Sequence, residues 1–322
     1  MGSSEPYATG PGNYGAYPNQ YPNYQNPYNQ YPSNQNPYNA NQNQNNQNVS
    51  NQNNIKQLSE LDPNFLRGCD NVVKEKYSNG DFEGQIKNGK YNGKGIRRWT
   101  TGEVYQGEYK NGLMHGKGLF IYDDGSTYNG DYVNDLKEGK GIYKYSSGNV
   151  YEGEWKKGKK EGKGTMKYSD CIYEGDWKDG KKEGKGKMTW TKGSQKGEIY
   201  EGDFENDEFH GKGIYRYPNN DYYEGEFKFN FRFGWGKEST IQGIYEGEFR
   251  FDKRDGKGKM KYGIMNWGEY EGEWKDNLKN GKGVLIRDGI RYEGTWKDEE
   301  MISSDNGTGF PRNNDYFRDE EN

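Results

Sequence analysis

Short glycine-bracketed stretches rich in lysine and glutamate hold the residues of this chain that could do chemistry. One of them, Gly158–Gly164, reads Gly-Lys-Lys-Glu-Gly-Lys-Gly and is similar to the loop that binds nucleotide phosphates. That loop needs one more residue and a final Ser or Thr for the metal ion, whereas this stretch ends in Gly164. Because the stretch also recurs along the chain, we interpret it as a structural element and predict no nucleotide site.

Histidines and paired acids are the other candidates for catalysis or metal binding. His115 and His210 occupy the same position in two of these stretches, with no cluster of cysteines or carboxylates at ligand spacing. Acid pairs such as Glu152 and Glu154 recur along the chain. This pattern is typical of a solvated strand face, whereas the two carboxyl groups of a catalytic dyad need to be buried. The sequence therefore predicts no enzyme, no cofactor and no metal site.

Composition excludes several further classes of protein. Hydrophobic residues make up 29% of the chain, against roughly 45–50% in a typical globular domain, which argues against one large closed core. The net charge of −4 provides no basic field for nucleic acid. Cys69 and Cys171 give no disulfide framework, and no apolar run approaches the roughly 20 residues of a transmembrane helix. We expect a cytoplasmic protein.

A cluster of lysines remains as a candidate binding site. Residues 151–192 contain 12 Lys and 8 Asp or Glu, a local net charge of +4. Such a surface fits anionic lipid, where each lysine contributes about 1 kcal/mol near the membrane, or an acidic protein such as tubulin. A solvated face without a partner is the third interpretation, because charge runs usually face water. The candidates lie in equivalent loops: Lys156, Lys157, Lys159, Lys160, Lys178, Lys181 and Lys182.

All of these residues are positioned by copies of one repeat. Tyr151–Gly164 recurs almost unchanged as Tyr173–Gly186, and self-similarity at a fixed period is the signature of a repeat array. Seven of the nine steps between successive copies are 22 or 23 residues long. The copies begin at Phe82, Tyr105, Tyr128, Tyr151, Tyr173, Tyr200, Tyr223, Tyr245, Tyr270 and Tyr292.

Alternation within the repeat predicts its structure. Tyr151, Gly153 and Trp155 alternate with glutamates, which is typical of a strand with an aromatic face and a charged face. The glycine-rich stretch that follows is a loop, and a second short strand completes a β-hairpin. We therefore predict an all-β fold, an elongated, twisted, open, single-layer antiparallel sheet of tandem hairpins stabilised by aromatic side chains. These structural aromatics are Tyr105, Tyr128, Tyr151, Trp155, Tyr173, Trp177, Tyr200, Tyr223, Tyr245, Tyr270, Trp274, Tyr292 and Trp296.

The frame Tyr-x-Gly-x-Trp/Phe-x-x-Gly-x-x-x-Gly-x-Gly resembles the MORN repeat (membrane occupation and recognition nexus) and recurs throughout residues 71–302. Ile86 departs from it in place of the second aromatic of the first copy. Asp or Asn replaces the loop glycine at Asp135, Asp207, Asn230, Asp252 and Asn277. MORN arrays occur in ciliary radial-spoke heads, in scaffolds of the apicomplexan basal complex, in junctophilins that tether membranes, and attached to phosphoinositide kinases.

The resemblance implies a non-enzymatic structural scaffold whose partners are other proteins of a large assembly, a second copy of the chain included. A cytoskeletal location follows from the same resemblance, with the ciliary axoneme, and a radial-spoke head in particular, as the leading site. The alternative is a peripheral membrane module that binds phosphoinositides, and so anionic lipid, through basic loops. A regulatory subunit bound to a separate enzyme is a third class.

Outside the array the sequence predicts three further segments. Residues 1–54, rich in Asn, Gln, Pro and Tyr, carry too little apolar surface to fold and are predicted to be disordered. Residues 55–70 combine an apolar stripe with Asp62-Pro63, a pair typical of a helix start, and we expect one or two short helices that cap the open edge of the array. Residues 303–322 form an acidic C-terminal tail.

The repeat that begins at Tyr223 breaks the pattern. In Phe227–Trp235 five aromatic residues occur at strict period two, so an extended chain would place all five on the face that carries Tyr223. If exposed, they would form a protein interface. The alternative is packing against Phe249 and Phe251 of the next repeat. The candidate interface residues are Phe229, Phe231, Phe233 and Trp235.

Overall fold

The structure is a computed structural model that describes residues 59–263 and 268–308. The segment 1–54, predicted to be disordered, lies outside the described residues, as do the start of the capping segment and most of the acidic tail. All regular structure in the two described ranges is β-strand. Those ranges contain no helix long and apolar enough to cross a membrane.

One open antiparallel sheet contains every strand of the described residues, and this confirms the predicted fold class. The strands are β1 (Val72–Tyr77), β2 (Gly80–Lys87), β3 (Lys90–Trp99), β4 (Val104–Lys110), β5 (Leu113–Ile121), β6 (Thr127–Val133), β7 (Leu136–Lys144), β8 (Val150–Lys156), β9 (Lys159–Lys167), β10 (Cys171–Lys178), β11 (Lys181–Trp190), β12 (Ile199–Glu205), β13 (Glu208–Arg216), β14 (Tyr222–Lys228), β15 (Phe231–Thr240), β16 (Gly243–Arg250), β17 (Lys253–Tyr262), β18 (Glu269–Lys275), β19 (Leu278–Arg287), β20 (Ile290–Lys297) and β21 (Glu300–Ser304). Each strand pairs with the next one in the sequence, so successive hairpins extend the sheet in chain order.

The first tyrosine of each repeat fits because glycines lie beneath its ring. Tyr151 covers Gly153 and Gly164, which face each other across β8 and β9. A Cβ on Gly153 would lie 2.5 Å from the tyrosine Oη, so the position accepts no side chain. The Oη donates a hydrogen bond of 3.0 Å to the carbonyl of Glu154, which satisfies the hydroxyl at a buried site. Seven more fully buried tyrosines donate the same bond: Tyr105, Tyr128, Tyr173, Tyr200, Tyr223, Tyr245 and Tyr270.

The second aromatic of each repeat links neighbouring repeats. Trp155 meets its own Tyr151 edge to face at 5.2 Å between ring centroids, and it meets Tyr128 of the preceding repeat at the same distance. Such pairs are favourable beyond the area that they bury. The edge-to-face contacts continue from repeat to repeat as far as Trp296. Of the predicted structural aromatics, Tyr292 is half-buried and the others are buried.

Two-residue turns connect the strands of the hairpins, and both turn residues have positive φ, for example 48° at Asn134 and 68° at Asp135. Asn and Asp tolerate this conformation better than other non-glycine residues. The Asp135 carboxylate also accepts a hydrogen bond of 2.7 Å from the backbone N–H of Met114 in the preceding hairpin. Replacing the loop glycine by Asp or Asn therefore joins neighbouring hairpins. The same bond recurs at Asp207, Asn230, Asp252 and Asn277.

The described part of the capping segment, residues 59–70, forms turns and packs on the face opposite the buried tyrosines. The Gln106 amide accepts a hydrogen bond from the Asp62 N–H at 2.8 Å and donates one to the Asp62 carbonyl at 2.9 Å. An apolar contact is made by Leu61, Phe65 and Leu66 on Ile96, Val104, Leu119 and Ile121. The expectation of short helices that cap the edge is wrong for this part, because so short a segment is not stable as a helix by itself and its apolar side chains meet β3, β4 and β5 instead.

The recurrent acids form a ladder on the same face. Asp176 accepts a hydrogen bond of 3.1 Å from the backbone N–H of Lys185 and forms an ion pair of 2.6 Å with Lys163 of the preceding repeat. Lys185 in turn pairs at 2.5 Å with Asp203, which accepts the N–H of Lys212 at 2.9 Å. The lysines are largely exposed and the aspartates half-buried, so each link contributes little by itself. The arrangement joins repeats and is not a catalytic one.

Candidate interaction surface

Ten residues form a column on the tyrosine face. Cations that belong to this column face the aromatic rings of their own chain and are not free to bind a partner. Each member pairs directly across its hairpin with the second aromatic of the repeat, or with Ile86 in the first copy, so its side chain lies on the same face as that residue. Six of the ten members are cations. The column consists of Tyr91, Met114, Lys137, Lys160, Lys182, Phe209, Arg232, Arg254, Lys279 and Met301.

Two of the seven lysines predicted to bind an anionic partner belong to this column. The Lys160 Nζ lies 3.9 Å from the ring centroid of Trp177, and the Lys182 Nζ lies 5.6 Å from that of Tyr173. Burial lowers the pKa of Lys160 to about 8. The prediction is wrong for these two residues, because cross-strand pairing turns them toward the aromatic rings. The other five stay exposed: Lys156, Lys157, Lys159, Lys178 and Lys181.

Four aromatic rings lie around the ammonium group of Lys137, a third cation of the column. Its Nζ lies 4.4 Å from the ring centroid of Tyr143, 4.7 Å from that of Trp155, and within 5.5 Å of those of Tyr128 and Tyr122. The faces of these rings attract a cation, but burial acts against the charge and lowers the pKa of Lys137 to about 7. The rings enclose the lysine within its own chain, so it is not a docking site.

Replacing Lys137 by methionine is expected to stabilise the protein at pH 6 by about 1 kcal/mol, because a buried charge is removed without a change in packing. Met114 and Met301 occupy the equivalent position in other repeats. Since the folded pKa of Lys137 is below the unfolded value, wild-type stability should rise relative to the variant as the pH increases from 7 toward 10. Urea unfolding at several pH values tests this. A methionine variant less stable than wild type at every pH would show that the cation–π contacts outweigh desolvation.

Arginines replace the lysines in two later repeats, and a buried glutamate joins them. Glu238 forms ion pairs with Arg232 at 2.5 Å and with Arg254 at 2.7 Å. Burial by itself would raise the pKa of Glu238, but the two guanidiniums outweigh burial and hold the pKa below its usual range. This triad was not predictable from the sequence, because Arg232 and Glu238 belong to β15 and Arg254 to β17, which is not adjacent to it in the sheet.

The aromatic run Phe227–Trp235 is not one extended stretch. Phe229, with φ at 55°, is the first residue of a two-residue turn, and Lys228 pairs with Phe231 on either side of that turn. Phe227 alone lies buried on the tyrosine face, whereas the three aromatics of β15 lie on the opposite face. The prediction of a single shared face is wrong, because a two-residue turn sets residues three apart directly opposite each other and so shifts the alternation.

Five aromatic side chains, here called the aromatic track, lie on two neighbouring hairpins, where Phe229, Trp235 and Phe251 are exposed and Phe231 and Phe233 are half-buried. Phe231 and Phe233 each meet the ring of Phe251 edge to face, at 5.7 Å and 5.9 Å between centroids. Phe251 belongs to the neighbouring hairpin turn, and the track runs from these turns to a groove of about 980 Å³ on the charged face, where Trp235 lies. The exposed fractions are 55% for Phe229, 57% for Trp235 and 57% for Phe251. The track consists of Phe229, Phe231, Phe233, Trp235 and Phe251.

Two of these phenylalanines adopt a backbone conformation that does not suit them. Phe229 and Phe251 have φ of 55° and 48°, which costs a bulky residue about 1–2 kcal/mol. Both side chains are more than half exposed, so burial offsets little of this cost. Strained residues of this kind cluster at binding sites. At the same turn position other described hairpins have Asn88, Asn111, Asn134, Lys157, Asp179, Asn206, Asp276 and Asp298.

Cations border the aromatic track at the hairpin turns. The Lys228 Nζ lies 5.4 Å from the ring centroid of Phe229 and 5.8 Å from that of Phe233. Arg250 is exposed beside the next turn. Among the residues that the structure describes, neither cation forms an ion pair, whereas the nearby Lys253 pairs with Asp276 at 2.6 Å. The track is therefore an apolar surface with a positive rim.

Features that suggest other kinds of site have structural roles. His210 lies 3.1 Å from Glu205, and the described ranges contain no group of three or more His, Cys, Asp or Glu residues placed to hold a metal ion. From the sequence, Phe251 was expected only as a residue on which the aromatic run packs, and its place on an exposed surface was not predicted. An alignment of the turns would have revealed it, since phenylalanine stands where Asn or Asp is usual.

Hairpins that join in chain order, each in contact with its neighbours, define an open β-repeat protein. The chain belongs to the MORN-repeat family, whose model matches nine copies. They span residues 82–104, 105–127, 128–150, 151–170, 173–195, 200–222, 223–239, 245–264 and 270–290. A protein-interaction scaffold is the function that such an array indicates.

Two solved structures of TCP domains show a remote likeness. The TCP domain of Drosophila melanogaster SAS-4, in complex with a proline-rich motif of Ana2, is 10% identical, with 56% of this chain and 90% of that chain covered and a TM-score of 0.31. The TCP10 domain of Danio rerio CPAP, in complex with a STIL peptide, is 10% identical, with 70% and 98% covered and a TM-score of 0.28. Scores this low carry no functional argument. No curated protein matches the sequence.

Proposed function

We propose that this protein is a non-enzymatic scaffold of a cytoskeletal assembly, in the ciliary axoneme and foremost in a radial-spoke head, and that it docks a protein partner on the aromatic track. The observation that carries the docking site is the pair of strained, exposed phenylalanines, Phe229 and Phe251. Exposed aromatics of this size are typical anchors of protein interfaces. The axonemal location is supported by the MORN frame, which occurs in radial-spoke proteins.

Anionic lipid is a weaker candidate as the partner. Lys160 and Lys182 lie among aromatic rings, which leaves five of the seven predicted lysines exposed. Two of these five are engaged with neighbouring repeats: Lys159 pairs with Asp179 at 2.9 Å, and Lys181 donates a hydrogen bond of 3.0 Å to Asn206. The remaining charge is small, and attraction to a membrane is screened within about 8 Å at physiological ionic strength.

Localisation of the tagged full chain in ciliated cells tests the proposed function. We expect the wild type to follow axonemal markers and the track variant, Phe229→Asn with Phe251→Asn, to be lost from them. Asparagine occupies these turn positions in other repeats, so the variant should fold at least as well as the wild type. The matched control is Leu136→Lys, which removes an exposed apolar side chain at a different hairpin turn and should leave the localisation unchanged. Wild-type protein at the plasma membrane, or a track variant retained on the axoneme, would contradict the proposal.

A further inference from the structure

We propose that the aromatic track binds residues 309–322 of a second copy of this chain, so that copies join head to tail. This proposal rests on the track being the docking site of the proposed function and adds the identity of an occupant. The site itself lies entirely within the described residues.

The chemistry of residues 309–322 complements the track. The segment reads Gly-Phe-Pro-Arg-Asn-Asn-Asp-Tyr-Phe-Arg-Asp-Glu-Glu-Asn, with four acids and two arginines for a net charge of −2. Tyr316 and Phe317 supply rings for edge-to-face contacts with the exposed phenylalanines. Asp319, Glu320 and Glu321 follow after Arg318 and supply carboxylates for Lys228 and Arg250, which have no ion-pair partner among the described residues.

The charges around the track also fix the direction of the bound segment. Lys228 and Arg250 lie at the hairpin-turn end, whereas Trp235, at the inner end, is paired across the strands with Glu248. Lysines and glutamates line the groove beside Trp235 in equal number, whereas the two cations at the turns are unpaired within the described part of the chain, so carboxylates are favoured at the turns. Tyr316 and Phe317 would lie over the inner phenylalanines, with the acids directed to the turns.

A second copy is favoured over the same copy by the reach of the chain. Thr308 is hydrogen-bonded to the Arg291 carbonyl at 3.2 Å, at the end of β20 away from the hairpin turns. At about 4.8 Å per strand and about 3.3 Å per residue, the turn end of β15 is about 33 Å from there. The eleven residues from Thr308 to Asp319, whose carboxylate is directed to the turns, span about 36 Å when fully extended. Binding within one copy would thus require a nearly straight chain across several strands, and binding between copies meets no such limit.

Such a contact joins two different surfaces, so each bound copy still offers a free segment or a free track. Contacts of this kind produce open chains instead of closed dimers. We therefore expect the average mass of the full-length protein to rise continuously with concentration and to exceed that of a dimer.

Sedimentation velocity of full-length protein provides the test, with two variants that disable opposite sides of the contact. The track variant, Phe229→Asn with Phe251→Asn, keeps the segment. The tail variant, Asp315→Asn, Asp319→Asn, Glu320→Gln and Glu321→Gln, keeps the track. Each alone should remain monomeric at concentrations where the wild type and the Leu136→Lys control form chains, with the melting temperature unchanged or raised. When the two variants are mixed, the wild-type segment of the track variant should bind the wild-type track of the tail variant. The product should be a 1:1 complex that grows no further.

A synthetic peptide of residues 309–322 gives a second readout. It should bind the tail variant saturably and bind the track variant about tenfold or more weakly. A wild type that is monomeric at all concentrations, a tail variant that assembles like the wild type, or a mixture that stays monomeric would overturn this inference. If the track variant is nevertheless lost from the axoneme, the docking site stands with a different protein as its occupant, so the two proposals fail separately.

Discussion

Replacing Trp155 by alanine should lower the free energy of unfolding of its region by about 3–5 kcal/mol, because the change removes a buried aromatic side chain and leaves a cavity. Trp155 contacts Tyr128 and Tyr151 edge to face, and its indole Nε1–H donates a hydrogen bond of 3.2 Å to the Gly141 carbonyl. Hydrogen exchange of the amides in β8 and β9 measures the effect locally, which matters because repeat arrays need not unfold in one step.

The control for this prediction is Glu154→Ala, one residue away on the opposite face. Glu154 is exposed, and its carboxylate accepts a long hydrogen bond of 3.4 Å from the Lys163 N–H. Its removal should change the same free energy by no more than about 0.5 kcal/mol. Similar losses in the two variants would mean that aromatic burial is not the source of stability.

Replacing Glu238 by glutamine should lower the free energy of unfolding by about 3–5 kcal/mol, because Arg232 and Arg254 are left buried without a counter-charge. The matched control is Glu246→Gln, whose carboxylate pairs with Lys237 at 2.9 Å at an exposed site and whose loss should have little effect. Equal stability of the two variants would show that water reaches the Glu238 site and replaces the carboxylate.

The same residue should make the wild type sensitive to acid. The pKa of Glu238 is held below its usual range by the two arginines. Its contribution is therefore complete above the unfolded pKa of about 4.3 and is lost as the pH falls toward the folded pKa. Urea unfolding between pH 6 and pH 3 should show a loss of stability in the wild type that is smaller in the Glu238→Gln variant. Parallel pH profiles would contradict the assignment.

The sheet was predictable because its determinants lie close together in sequence. The alternation of Tyr151, Gly153 and Trp155 within five residues defines one buried face, and the period of the repeat defines the order of the strands. The column of cations was harder to predict, because it depends on which residues pair across the hairpin. Met114 and Phe209 at equivalent positions were the available signal that Lys160 and Lys182 point inward.

The aromatic track shows where period-two reasoning fails. An alternating pattern predicts one face as long as the chain stays extended, and a two-residue turn breaks that condition without breaking the pattern. Phe229 gave no local warning, because phenylalanine is rarely found at positive φ. The number of aromatic residues was therefore informative, and their placement needed the backbone.

Pairing in strict chain order also bears on how the protein is made. Each strand joins the one synthesised just before it, so a hairpin can form as soon as it leaves the ribosome. Synthesis at about 5–20 residues per second leaves seconds for each repeat, whereas a hairpin forms in about 1–10 microseconds. The growing sheet thus exposes one unpaired edge at a time. The tyrosines of each repeat are buried by neighbouring repeats, so their burial does not depend on a distant part of the chain.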